Sequence, residues 1–292
     1  MRKQAGLTRI DVAVALACVA LVLAQAAVLN AGGRERSKRE VCLANLRSLA
    51  AAWQTYSGDN SGKVPVGDIY YSWVFSTSGP TMRDQPAWCE WPHPFPHAMP
   101  PTRTTNYTAA YPLGSSITQA AWEHAIAEGT LWKYVGDYNI YRCPSAGKDQ
   151  YVTYAMSQSM NCYPGAGGAG AVTITNINQI IRPAERFVFL DAGFAKQGAF
   201  YLSYDSPGGG PPPGTWGDLP PMIHSQGTTF VFADGRAIYR KWTDPHTLAV
   251  AALGQWGGGS VDYCDCDLRW MTKVTWGSVP FNCTNPNKHC EY

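Results

Sequence analysis

Met1-Arg2-Lys3-Gln4-Ala5-Gly6-Leu7-Thr8-Arg9-Ile10-Asp11 opens the chain, and an apolar run from Val12 to Leu29, interrupted only by Gln25, comes next. Eighteen helical residues rising 1.5 Å each reach roughly 27 Å, close to the thickness of a bilayer core. Arg2, Lys3 and Arg9 stand before the run. The positive-inside rule therefore leaves the N-terminus in the cytoplasm and exports the chain beyond about residue 32. Two readings of the run compete. Ala24-Gln25-Ala26 is an A-x-A site behind an apolar core, as in a cleaved secretory signal. Asp11 favours retention, because an acid in a membrane helix is expensive and is kept for a function when it has a partner. Cleavage after Gly6 would create one: the new Leu7 amine is a cation for Asp11 of a neighbouring chain.

Past the run, Gly32-Gly33 could kink or break the helix, and Arg34–Glu40 is densely charged, as a solvated face near a membrane would be. Leu43, Leu46, Leu49, Trp53 and Tyr56 then recur at spacings of three and four, an apolar stripe on one helix face. Ser57-Gly58-Asp59-Asn60-Ser61-Gly62 ends it. Gly6, Leu7 and Asp11 followed by the apolar helix resemble the N-terminus of type IV prepilins and type II secretion pseudopilins. That resemblance implies a leader over 1–6, a transmembrane assembly helix over 7–31, its amphipathic continuation over 32–62 and an exported head over 63–292. Methylation of Leu7 after cleavage by a prepilin peptidase is part of the same expectation.

In the head the strand-like runs are Gln150–Ala155, Arg186–Asp191, Thr228–Ala233 and Arg236–Trp242. Asp234-Gly235 joins the last two, and Asp-Gly between strands predicts a hairpin with positive φ at both central residues. These runs predict an antiparallel sheet over about 150–242, with a short helix within Trp122–Val135 and loops over 76–115 and 204–223. The fold class is α+β: a long N-terminal helix on an antiparallel sheet with long, disulfide-linked loops. His224, nine residues, then Asp234-Gly235 is similar to the H-X9-DG signature of a prepilin-like bacterial family. Cys42-Leu43-Ala44-Asn45-Leu46, Tyr56…Asp59-Asn60…Gly62…Pro65 and Tyr141-Arg142-Cys143-Pro144-Ser145 resemble the same family, which implies a Cys42–Cys143 disulfide. Ten residues of strand at about 3.3 Å each separate His224 from Asp234 by roughly 30 Å. Asp234 then reads as a turn residue and His224 as a structural hydrogen-bonder.

Nine cysteines include Cys18 in the apolar run. The other eight, Cys42, Cys89, Cys143, Cys162, Cys264, Cys266, Cys283 and Cys290, fit an oxidising compartment. Cys264 and Cys266 are too close to bond each other comfortably, so Cys283 and Cys290 are their near candidates. The same four could bind zinc in a reducing compartment. Asp262, Asp265 and Asp267 place three carboxylates in six residues, a candidate calcium site, and the pseudopilin resemblance adds that some members bind calcium in a C-terminal loop. His93 and His97 flank prolines that forbid the helix needed to share a metal. No further cofactor is expected.

With formal net charge +2 over 292 residues, the chain is not a basic nucleic-acid binder. It carries no G-x-S-x-G, P-loop, G-x-G-x-x-G or H-E-x-x-H motif. The reading is a non-enzymatic pilin-like or pseudopilin-like subunit of the bacterial inner membrane. Its head would be periplasmic or carried on an extracellular filament, and its partners would be other subunits of its kind. A secreted or periplasmic binding module, with polysaccharide as its candidate ligand, released by signal peptidase near Ala26 is the alternative, with surface Trp and Tyr doing the binding. A hydrolase using His224 with Asp191 or Asp205 is the third.

Overall fold

The structure, a computed structural model, describes residues 9–67, 73–76, 79–82, 87–90, 118–162, 171–193, 198–204, 215–253, 261–285, 287, 288 and 290. Within 9–31, 73–76 and 79–82 this covers the backbone, with Cys18 the one side chain included. Gly6, Leu7, the side chain of Asp11, His93, His97 and Asp205 therefore lie outside the described residues.

One helix, α1, runs from Arg9 to Asp59, and Gly32-Gly33 does not interrupt it. Nothing presses on either glycine, so the backbone has no neighbour to kink against. Among the described residues no helix is long and apolar enough to cross a membrane; the Val12–Leu29 run falls where side chains other than Cys18 are not described. From residue 42 onward α1 is amphipathic as its spacing demands: Leu43, Leu46, Leu49, Trp53 and Tyr56 are all buried. It ends where Ser61 and Gly62 turn to positive φ.

The described strands are β1 (Trp73–Ser76), β2 (Gly79–Met82), β3 (Tyr154–Ser157), β4 (Phe187–Asp191), β5 (Ala199–Phe200), β6 (Gly227–Phe232) and β7 (Ala237–Lys241). β1 and β2 form a separate antiparallel pair, and β2 falls within the 76–115 stretch expected to be a loop. The main sheet has the order β5-β3-β4-β6-β7. It is mixed, which corrects the all-antiparallel expectation. β5 pairs with β3 in parallel, because the chain turns back after β4 and passes to the far side of β3, where it runs opposite to β4 and so alongside β3. The helices α2 (Gln119–Glu128), α3 (Trp132–Val135), α4 (Pro245–Leu253) and α5 (Cys266–Trp276) complete the head.

Alternation along β6 shows how the sheet is covered. Thr229 bonds to Cys42 of α1, while its neighbour Phe230 packs edge-on against Trp270 of α5. Adjacent strand residues point to opposite faces, so α1 and α5 sandwich the sheet between them. Both faces being covered explains why every residue of β4 and β6 is buried. Phe187, Phe230, Trp242 and Trp270 meet edge-to-face beneath α5. Trp88, which a sugar-stacking surface would expose, is fully buried and stacked on Tyr141.

The Asp234-Gly235 hairpin forms, but with one left-handed residue instead of two. Gly235 alone takes positive φ, 86°, and its N–H bonds to the Phe232 carbonyl. This is a turn closed by a left-handed glycine, the longer-loop solution that leaves Asp234 in an ordinary conformation. Asp234 Oδ1 accepts from the Arg236 amide, a turn role.

α1 and β6 run side by side in the same direction. Glu35 of α1 bonds to His224 just before β6, and Gln54 donates to the Ala233 carbonyl just after it. Nineteen helical residues and nine extended ones each cover about 29 Å. The spacing between His224 and Asp-Gly thus matches the helix length it lies along.

Candidate functional site

At the His224 end of this helix–strand pair, four segments converge. Cys42 comes from α1, two turns beyond Glu35 on the same face. Cys143 follows the 3-10 turn Tyr138–Tyr141, and its amide donates to Thr153 Oγ1 at 2.7 Å, which fixes the loop against the start of β3. Asp191 is the last residue of β4. His224 stands before two consecutive left-handed residues, Ser225 and Gln226, a conformation that non-glycine residues hold only when their surroundings impose it. Tyr239 OH provides part of that restraint by donating to the carbonyls of His224 and Ser225 at 2.6 and 2.9 Å. Gly227 then lets the chain press on β7, where a Cβ would lie 2.1 Å from the Arg240 carbonyl.

The four side chains are sealed from solvent, at 0% exposure for Cys42, Asp191 and His224 and 1% for Cys143. One ligand-type atom from each lies within 4.8 Å of all the others. His224 Nδ1 donates to Glu35 Oε1 at 2.7 Å, which turns Nε2 toward Cys143 Sγ at 3.5 Å and Asp191 Oδ2 at 3.4 Å. Cys42 Sγ donates to Asp191 Oδ2 at 3.2 Å, and Tyr154 OH donates to Cys42 Sγ at 3.3 Å. The Ser145 amide donates to Cys143 Sγ at 3.3 Å, and the Gly193 amide to Asp191 Oδ1 at 3.0 Å.

These contacts set the charge states. Burial works against a charge on His224, but the bonds to Asp191, Cys143 and Glu35 outweigh it and raise the imidazole to about 10. The bond from Cys42 pulls the Cys143 thiol down to about 7 against the effect of burial. Burial, reinforced by Cys143 and Asp191, pushes Cys42 up, so Cys42 keeps its proton. Cys143, lowered, and His224, raised, thus stand as a thiol–imidazole pair whose ring is oriented by Glu35. Such a pair can serve a nucleophile. Here both members are covered, and Cys42 and Asp191 occupy the space around the sulfur.

Cys42 and Cys143, which the family resemblance pairs as a disulfide, are free thiols in this cluster. The two sulfurs lie within 4.8 Å of each other and also meet Asp191, Thr229, Tyr154 and the Ser145 amide. Cys89 and Cys162 are buried and join no disulfide among the described residues. The other four bond as Cys264–Cys283 and Cys266–Cys290, which leaves them no thiolate for zinc.

The calcium grouping does not assemble. Asp265 caps α5 through the Leu268 amide and accepts from Thr247 and His246. Asp267 accepts from Arg240 and the amides of Thr243 and Asp244. Asp262 accepts from the Cys264 amide and faces Lys288. Each carboxylate already serves a different donor, so they do not converge on one ion.

By sequence alone Glu35 belongs to a solvated charged stretch, and Asp191 reads mainly as a strand end. Two signals point further. Glu35, Arg39 and Cys42 recur at four and three, one helix face. Arg39 accordingly lies 4.3 Å over the Tyr239 ring. An acid closing an otherwise apolar buried strand also needs a partner. No protein-family model, no curated protein and no solved structure matches this chain.

Proposed function

We propose that the protein is a non-enzymatic pilin-like or pseudopilin-like subunit. It is cut after Gly6, held in the bacterial inner membrane by Leu7–Leu29, and able to enter a filament or secretion-associated assembly with other subunits of its kind. The observation that carries this reading is α1 itself. A single helix from Arg9 to Asp59 joins the apolar run to the amphipathic stretch that packs on the head sheet. A subunit that displays a head on an assembly helix needs that continuity, since a break would uncouple the two. Seven of the described tryptophans also favour it over a polysaccharide-binding module: Trp53, Trp88, Trp122, Trp216, Trp242, Trp270 and Trp276 are committed to the interior, while Trp132 is half-buried.

Mass spectrometry of the mature N-terminus tests the proposal. The expected species starts at Leu7, with or without a methyl group. A chain starting at Ala27 and found in the soluble fraction would replace the proposal with the released module.

A further inference from the structure

We propose that Cys42, Cys143, Asp191 and His224 bind one Zn²⁺ in a closed tetrahedral site that clamps α1 to the sheet. This stands apart from the pilin-like reading, since it concerns only how the helix is fastened to the head.

The donor set is two thiols, one imidazole and one carboxylate, which suits zinc. Zinc bonds of about 2.3 Å to sulfur and about 2.0–2.2 Å to nitrogen and oxygen place neighbouring tetrahedral ligands about 3.4–3.8 Å apart. The described edges come near that: 3.5 Å for Cys143 Sγ–His224 Nε2, 3.4 Å for His224 Nε2–Asp191 Oδ2 and 3.2 Å for Cys42 Sγ–Asp191 Oδ2. No pair of the four atoms exceeds 4.8 Å, so small side-chain movements close the tetrahedron.

The surrounding groups are those a metal site needs. A ligating histidine usually gives its second ring N–H to a carboxylate, which fixes the tautomer and aims the free nitrogen at the ion. Glu35 takes that part at 2.7 Å. The Ser145 amide supports one sulfur, and Tyr154 supports the other. The Gly193 amide occupies Asp191 Oδ1 and leaves Oδ2 facing the centre. Each residue thus has its outer side satisfied and one atom turned inward. With four protein ligands and no exposure, the site has no open position for substrate or water, which makes it structural. The ligands come from α1, the loop after residue 141, β4 and the approach to β6. Zinc would therefore join parts of the chain far apart in sequence, and its binding energy would add to folding.

The test uses the full-length chain in detergent. Elemental analysis is expected to find one zinc per chain, and Cys143→Ser or His224→Ala to lose it, whereas Cys162→Ser keeps it. Glu35→Gln leaves all four ligands and is expected to weaken zinc binding about 10–100-fold. Should the ligand variants fold poorly, Co²⁺ titration of the metal-stripped wild type decides: one equivalent giving the intense visible bands of a tetrahedral thiolate site supports the proposal. Wild-type protein that takes up neither Zn²⁺ nor Co²⁺ overturns it. So does an intact mass, after thiol alkylation, that shows Cys42 and Cys143 joined as a disulfide.

Discussion

Glu90 illustrates how a single residue carries a cost that its neighbourhood imposes. Burial raises its carboxyl to about 7 from 4.5, the Ala87 amide opposes the shift through a 3.0 Å bond, and Glu128 adds to it. A carboxyl with a raised value in the folded state holds its proton more tightly there than in the unfolded chain. Its penalty on folding is therefore present above about pH 7 and fades as pH falls toward 4.5. Glu90→Gln keeps an oxygen for the Ala87 amide and removes the charge. It is expected to stabilise the protein at pH 8 by about 1–2 kcal/mol, discounted for partial solvent exposure, and to have little effect at pH 5. Melting temperatures of both proteins at the two pH values check this. Equal gains at both would show that the charge is not the cause. At the same scale, Arg186 is buried, and among the described residues none of its hydrogen-bond partners is a carboxylate. Its guanidinium donates instead to Ser159 Oγ and, at 2.7 Å, to the Thr275 carbonyl at the C-terminal end of α5, where a cation suits the helix dipole.

Among the elements, α1 has the most demanding position, since one stripe must cover β4, β6 and β7 while polar contacts set its register. Arg39 over Tyr239, Asn45 on the carbonyls of Asn139 and Arg142, Gln54 on Ala233 and Asp59 with Tyr134 hold it along its length. Leu49 is fully buried in the middle of the stripe. Leu49→Ala removes that packing and leaves a cavity that the rigid sheet fills poorly, so a loss of about 2–5 kcal/mol is expected in denaturant unfolding. A loss below about 1 kcal/mol would mean that the helix is not seated as described. At the far end, the disulfides Cys264–Cys283 and Cys266–Cys290 tie the turn before α5 and the first residue of α5 to the C-terminal segment across separations of 19 and 24 residues. The carboxylates of Asp244, Asp265 and Asp267 knit the same region to α4 and β7. Burial disfavours ionised Asp244, yet the bonds from Lys288 and nearby amides outweigh it and hold its carboxyl below the ordinary range.

For the molecule as a whole, the proposed assembly depends on Asp11, whose carboxylate would neutralise the Leu7 amine of an adjacent subunit where both would otherwise be unpaired among apolar helices. Asp11→Ala is expected to abolish assembly while the head keeps its wild-type melting temperature; normal filaments from this variant would remove the pairing from the account. Much of the architecture is legible in the sequence, because period alone reveals it. The stripe from Leu43 to Tyr56 and the β6–β7 hairpin around Asp-Gly are local patterns in which spacing determines geometry, whereas spacing marks Cys283 and Cys290 as near candidates for Cys264 and Cys266 without deciding which joins which. The parallel β5 edge cannot be read this way, since two residues of strand carry no periodic signal. Nor can the union of Glu35, Cys42, Cys143, Asp191 and His224, which spans 189 positions from Glu35 to His224. Sequence by itself determined which faces are apolar and where the chain turns, since those depend on neighbours three or four residues away. Only tertiary structure decided which buried polar groups meet, because a buried thiol, acid or imidazole takes its partner from whatever element packs against it.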